Sequence, residues 1–157
     1  MRLALSALAA LAALTLACSG RSPVEGDQTG PDSFAQLHTG TVLVDGATPL
    51  PPDPYTVDRA AVRNDSLLVT VRYGGGCRTH EFTLQLFKTF RESYPVQSDA
   101  LIAHRANGDH CKALLVRELA FDLAPLRDHY RASYQTLSGV IRLRLLPPAQ
   151  GEVEYRF

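Results

Sequence analysis

Period-two alternation of apolar and polar side chains dominates the second half of the chain. Leu67, Val69, Val71 and Tyr73 fall on one face of a predicted strand. Phe82, Leu84 and Leu86 do the same in the next, with Glu81, Thr83 and Gln85 opposite. Ile141, Leu143 and Leu145 alternate with Arg142 and Arg144, and Val153, Tyr155 and Phe157 with Glu152, Glu154 and Arg156. Weaker stretches of the same kind lie at residues 41–45, 56–63, 100–105, 113–118 and 119–123. Such alternation buries one face of each strand and wets the other, which predicts an all-β fold: an antiparallel β-sandwich of about seven to nine strands, with a small barrel as the alternative.

Asn64-Asp65 and Asn107-Gly108 predict hairpin turns, because Asn, Asp and Gly tolerate the positive φ those turns need. One short helix is predicted over residues 124–135. Pro125 suits its first turn, Asp122 its cap, and Leu126, Tyr130 and Tyr134 share a face at i, i+4 spacing.

The N-terminal segment follows a different rule. Arg2 precedes a run of Leu and Ala over residues 3–16, broken only by Ser6 and Thr15. The run suits the apolar part of a signal peptide and is too short to span a bilayer of about 30 Å. It closes on Leu14-Thr15-Leu16-Ala17-Cys18, which resembles the lipobox of bacterial lipoproteins. That resemblance implies cleavage after residue 17, a diacylglyceryl group on the Cys18 sulfur and an acylated amine, enough acyl chain for stable membrane anchoring. Ser19 in place of Asp implies, by the same resemblance, an outer-membrane address in the cell envelope. Residues 18–38 are rich in Ser, Gly, Pro, Asp and Gln and predict a flexible tether. The expected organisation is therefore a leader over 1–17, a lipidated tether over 18–38 and a sandwich domain over 39–157.

Charge narrows the choice of partner. The chain carries 16 basic and 16 acidic side chains, and loss of Arg2 with the leader leaves 15 against 16. With its arginines scattered, the domain gives no reason to expect a nucleic-acid partner. No cofactor is expected.

One cluster could carry chemistry. Cys77 lies in Gly74-Gly75-Gly76-Cys77-Arg78-Thr79-His80, and Cys111 in His104-Arg105-Ala106-Asn107-Gly108-Asp109-His110-Cys111. In an oxidising compartment two such cysteines pair, closing a loop of about 34 residues that contributes about 3–4 kcal/mol in the chain-entropy model. A second reading is a zinc or copper site using Cys77, His80, His104 and Cys111, with His110 nearby. A third is a Cys77 nucleophile with His80 or His104 as base and Asp109 as the orienting group. His80 is in phase with Phe82 and Leu84, which points it inward. The three glycines suit either a close-approach bend, the favoured reading, or a nest of backbone N–H groups for an anion.

Tyr73-Gly74-Gly75-Gly76-Cys77, His80-Glu81-Phe82-Thr83-Leu84, His104 through Asn107-Gly108-Asp109 to Cys111-Lys112-Ala113, and Phe121-Asp122-Leu123-Ala124-Pro125-Leu126 together resemble the C-terminal β-sandwich domain of NigD-like bacterial lipoproteins over about residues 67–134. NigD-like proteins also carry an N-terminal OB-type domain, for which residues 39–66 are too few. The resemblance implies a β-sandwich and export, and no activity. The expectation is a non-enzymatic envelope lipoprotein, anchored through Cys18 and binding a protein or glycan partner or serving structurally. A periplasmic metal-binding lipoprotein is the alternative.

Overall fold

The computed structural model describes residues 37–46, 53–147, 149 and 151–157. The expected leader, the expected lipidation site at Cys18 and most of the expected tether lie outside the described residues. The elements are β1 (Leu37–Val44), β2 (Tyr55–Arg63), β3 (Ser66–Gly75), β4 (His80–Arg91), β5 (Val96–Arg105), β6 (Ala113–Asp122), α1 (Ala124–Tyr134), β7 (Val140–Leu145) and β8 (Gly151–Arg156). Leu37 and His38 belong to β1 and not to the tether, because their backbones pair with His80 and Glu81.

The strands form two sheets, β1-β4-β5-β7-β8 and β2-β3-β6. Leu67, Val69, Val71 and Tyr73 of β3 meet Phe82, Leu84 and Leu86 of β4, Ala100 and Ile102 of β5, Leu119 and Phe121 of β6, Ile141 and Leu143 of β7 and Tyr155 of β8 in one core. Each of these side chains is essentially removed from water. Among the described residues the architecture is therefore all-β with a single helix, as the alternation predicts.

The pairing is mixed where uniform antiparallel neighbours were expected. β1 runs parallel to β4, and β5 parallel to β7. Alternation reports which face is buried, not strand direction. Parallel partners need crossover connections, supplied here by β2-β3 and by β6-α1. Asn64-Asp65 closes the β2–β3 hairpin, with Asn64 at φ 51° and Arg63 opposite Ser66. Asn107 and Gly108 also turn at positive φ, and the Asp109 N–H donates back to the Ala106 carbonyl at 3.0 Å. This second turn is not a hairpin, because β5 and β6 belong to different sheets.

α1 begins with Pro125 in its first turn and ends on Gln135 in the left-handed region. The Asp122 carboxylate accepts from the Ala124 N–H at 2.8 Å, satisfying one first-turn donor, while Leu123 occupies the N-cap position. A bulge in β4 between Leu86 and Phe90 brings Phe90 against His129, Tyr130 and Tyr134 of the helix.

The topology separates two ends of the sandwich. Leu37 pairs with His80, so β1 starts at the end that carries the Cys77 loop, the Asn107 turn and the start of β2. The β4–β5 connection (Glu92, Ser93, Tyr94, Pro95), α1 and the C-terminus lie at the other end.

Candidate functional site

Cys77 and Cys111 are joined by a disulfide, with their Cα atoms 5.9 Å apart. The bond ties the β3–β4 loop to the β5–β6 loop. Beside it stands Asp109, whose Oδ2 accepts the backbone N–H groups of Gly76, Cys77 and Arg78, each at 2.9 Å. Its Oδ1 accepts the Cys111 N–H at 2.8 Å. The glycine-rich segment is therefore an anion nest as well as a bend, and its anion is a carboxylate of the same chain.

Local sequence builds this arrangement from both sides. Gly75 and Gly76 sit at φ 151° and 118°, which aims successive N–H groups the same way. A Cβ on Gly75 would lie 2.4 Å from His80 Nε2 and 2.9 Å from Asp109 Oδ2, so no side chain fits there. The Asn107-Gly108 turn folds Asp109 back onto the nest, and Asn107 Nδ2 donates to the Thr79 carbonyl at 2.9 Å.

His80 and His104 both point inward and are buried, as phase predicts for His80. His80 Nε2 is 3.2 Å from Asp109 Oδ2, His80 Nδ1 is 2.8 Å from His104 Nε2, and His104 Nδ1 is 3.1 Å from the Asp53 carbonyl oxygen. The His104 ring stacks on Phe82 at 4.2 Å, and Tyr73 lies against His80 at 4.6 Å. Asp53, which precedes β2, also accepts the Ala106 N–H at 2.6 Å and donates its own N–H to the His104 carbonyl at 3.0 Å.

Burial works to raise the Asp109 carboxyl. The N–H groups of Cys111, Cys77 and Arg78 and the His80 ring outweigh it and hold the group far below the usual carboxylate range. Burial pushes the His104 imidazole down, opposed by its bond to the Asp53 carbonyl. Burial also raises the Tyr73 phenol.

The structure thus brings Cys77, Cys111, His80 and His104 together but spends them on one another. Among the described residues, the grouping of ligand-type atoms is Cys77, Asp109 and Cys111, within 4.8 Å. Both sulfurs are in the bond and both Asp109 oxygens already accept backbone N–H groups. The metal reading is corrected on that ground: bonded sulfurs give no thiolates, and all four ring nitrogens of His80 and His104 have hydrogen-bond partners. The same bond leaves no thiolate for the Cys77 nucleophile. His110 lies exposed outside the ring chain. Asp109, expected only as the orienting group of a Cys77 nucleophile, does contact His80 but also organises the glycine nest, a role for which its place after an Asn-Gly turn and two residues before Cys111 is a readable signal. Asp53 follows two prolines and gives none.

A second concave feature lies at the other end. Ser93, Tyr94, Pro95, Val96, Tyr130, Gly139, Val140, Glu154 and Arg156 line a groove of about 320 Å³. Tyr94 is fully exposed at its rim, and Leu137 in the α1–β7 loop is largely exposed. A further exposed apolar pair, Leu114 and Val116, lies on β6.

No protein-family model matches the chain, and no curated protein matches it. Among solved structures it is similar to a NigD-like immunity protein from Bacteroides caccae, at 18% identity and a TM-score of 0.51, over 76% of this chain and 59% of that one. It is also similar to a protein of unknown function from Bacteroides vulgatus, at 14% identity and a TM-score of 0.46, over 78% of this chain and 56% of that one. The chain spans less than two thirds of the length of these proteins. The likeness to the NigD-like protein is one of fold.

Proposed function

We propose that the chain is a non-enzymatic binding module of the bacterial envelope, held at a membrane by lipid on Cys18, that meets a protein partner with the end of the sandwich remote from its anchor. The observation that carries the reading is the opposition of the two ends. β1 begins beside His80, so a tether running from Cys18 joins the sandwich at the disulfide end. The β4–β5 connection with exposed Tyr94, the Leu137 loop and the groove over Tyr130 all lie at the other end. Tyrosine and arginine anchors are enriched at protein interfaces, and this rim offers Tyr94 and Arg156. The immunity-protein name of the fold neighbour favours a protein over a glycan partner. The Ser19 side chain after Cys18 supports the outer membrane.

Two measurements test this. Metabolic labelling with a fatty acid should mark the native chain and not Cys18→Ala, which should leave the membrane fraction; equal labelling overturns the anchor. A photo-crosslinking residue placed at Tyr94 or Leu137 in cells should give a discrete adduct, identified by mass spectrometry as one protein, while the same residue at Arg78 or Leu114 should not. Adducts from Leu114 alone would move the interface to β6 and overturn the proposed end; adducts to glycan would overturn the protein partner.

A further inference from the structure

The ring chain at the disulfide end has an arithmetic of its own. Its three contacts run from Asp109 Oδ2 to His80 Nε2, from His80 Nδ1 to His104 Nε2, and from His104 Nδ1 to the carbonyl oxygen of Asp53. Both termini of the chain, a carboxylate and a peptide carbonyl, can only accept. Three hydrogen bonds then require three ring protons, one between each pair of acceptor atoms. Two neutral imidazoles supply two. With two, one contact sets a bare ring nitrogen against an acceptor at about 3 Å in a buried site, which is repulsive.

We propose that the folded protein holds a third proton on the His80–His104 pair, so that the two rings carry one positive charge paired with the Asp109 carboxylate. The charge joins the loop that bears Cys111, the adjacent interior strands β4 and β5, and the residue that leads into β2.

The arrangement places the extra proton on His80, between Asp109 and its neighbour ring. His104 then donates from Nδ1 to the Asp53 carbonyl and accepts at Nε2 from His80. Burial already disfavours the charged form of His104, which agrees with this order. The groups facing the pair are few. Tyr73 from β3 lies against both rings, Tyr55 from β2 and Phe82 from β4 lie against His104, and the Asp53 carboxylate is turned to the Ala106 N–H. Asp109 is thus the one carboxylate hydrogen-bonded to a ring of the pair among the described residues. Losing the third proton would break one of the three contacts, which makes the pair a proton-held latch on the end where β1 enters.

The test is a count of ring protons by ¹H–¹⁵N NMR on protein with ¹⁵N-labelled histidine, disulfide intact, at pH 7. The proposal expects three protonated nitrogens and one bare nitrogen across His80 and His104, with the bare one on His104. Two bare nitrogens, one on each ring, would overturn it. Asp109→Asn removes the counter-charge and should reduce the count to two; a count still at three would overturn the role of Asp109. The wild-type count decides the proton number even if that variant does not fold.

Discussion

The Tyr155 hydroxyl donates a 2.6 Å hydrogen bond to the Asp65 carboxylate, joining the last strand to the first hairpin turn across 90 residues of chain. The Arg127 guanidinium pairs with the same carboxylate, and the Asp65 carbonyl accepts the Leu123 N–H at 2.7 Å. One turn residue therefore gathers the helix start and the C-terminal strand.

Tyr155→Phe keeps the ring in the core and removes this donor. It should lower stability by about 2 kcal/mol, read from urea unfolding. The Tyr155 hydroxyl, followed by Arg127, holds Asp65 below its ordinary range against the opposing effect of burial. A carboxylate depressed in the folded state stabilises above about pH 4 and loses that contribution as pH falls through its folded value. Stability of Tyr155→Phe should accordingly fall less between pH 5 and pH 2 than that of the native chain.

Asp109→Ala strips the acceptor from four backbone N–H groups, those of Gly76, Cys77, Arg78 and Cys111. Its melting temperature should drop further than that of Tyr155→Phe, and those four amides should exchange faster with solvent. The Asp109 carboxyl is held far below the usual range. Its contribution should persist below about pH 4 and vanish only in stronger acid. Amide protection in the Cys77 loop that collapses between pH 5 and pH 4 would contradict this.

Cys77→Ser and Cys111→Ser should each cost about 3–4 kcal/mol, the value of a closed loop of 34 residues. The double variant should be no worse than either single. Strongly unequal single variants, measured by thermal unfolding, would contradict a shared bond.

Gly139→Ala tests a close approach at the other end. A Cβ there would lie 2.4 Å from the Tyr130 ring and 3.0 Å from that of Phe157. Overpacking of this kind costs about 1–3 kcal/mol. Combining it with Tyr130→Leu should recover part of the loss, as a double-mutant cycle would read.

Much of this protein is legible without a structure because alternation and burial are local facts. Leu67, Val69, Val71 and Tyr73 could face one core only if they lay on one side of a strand, and Leu126, Tyr130 and Tyr134 carry the helix in their spacing. The two cysteines, the inward phase of His80 and the turn at Asn107-Gly108 are equally local. Residue type and spacing determined these features. Strand direction was not legible: β1 beside β4 and β5 beside β7 follow from how crossovers pack on a shared core, a long-range choice with no period in the chain. The carboxylate of Asp109 in the nest, the ring chain from Asp109 to Asp53 and the placement of Tyr94 at the end opposite Leu37 are likewise decisions of tertiary structure. Each joins atoms of segments far apart in the chain, and only the closing of the two sheets brings them within hydrogen-bond reach or sets them at opposite ends.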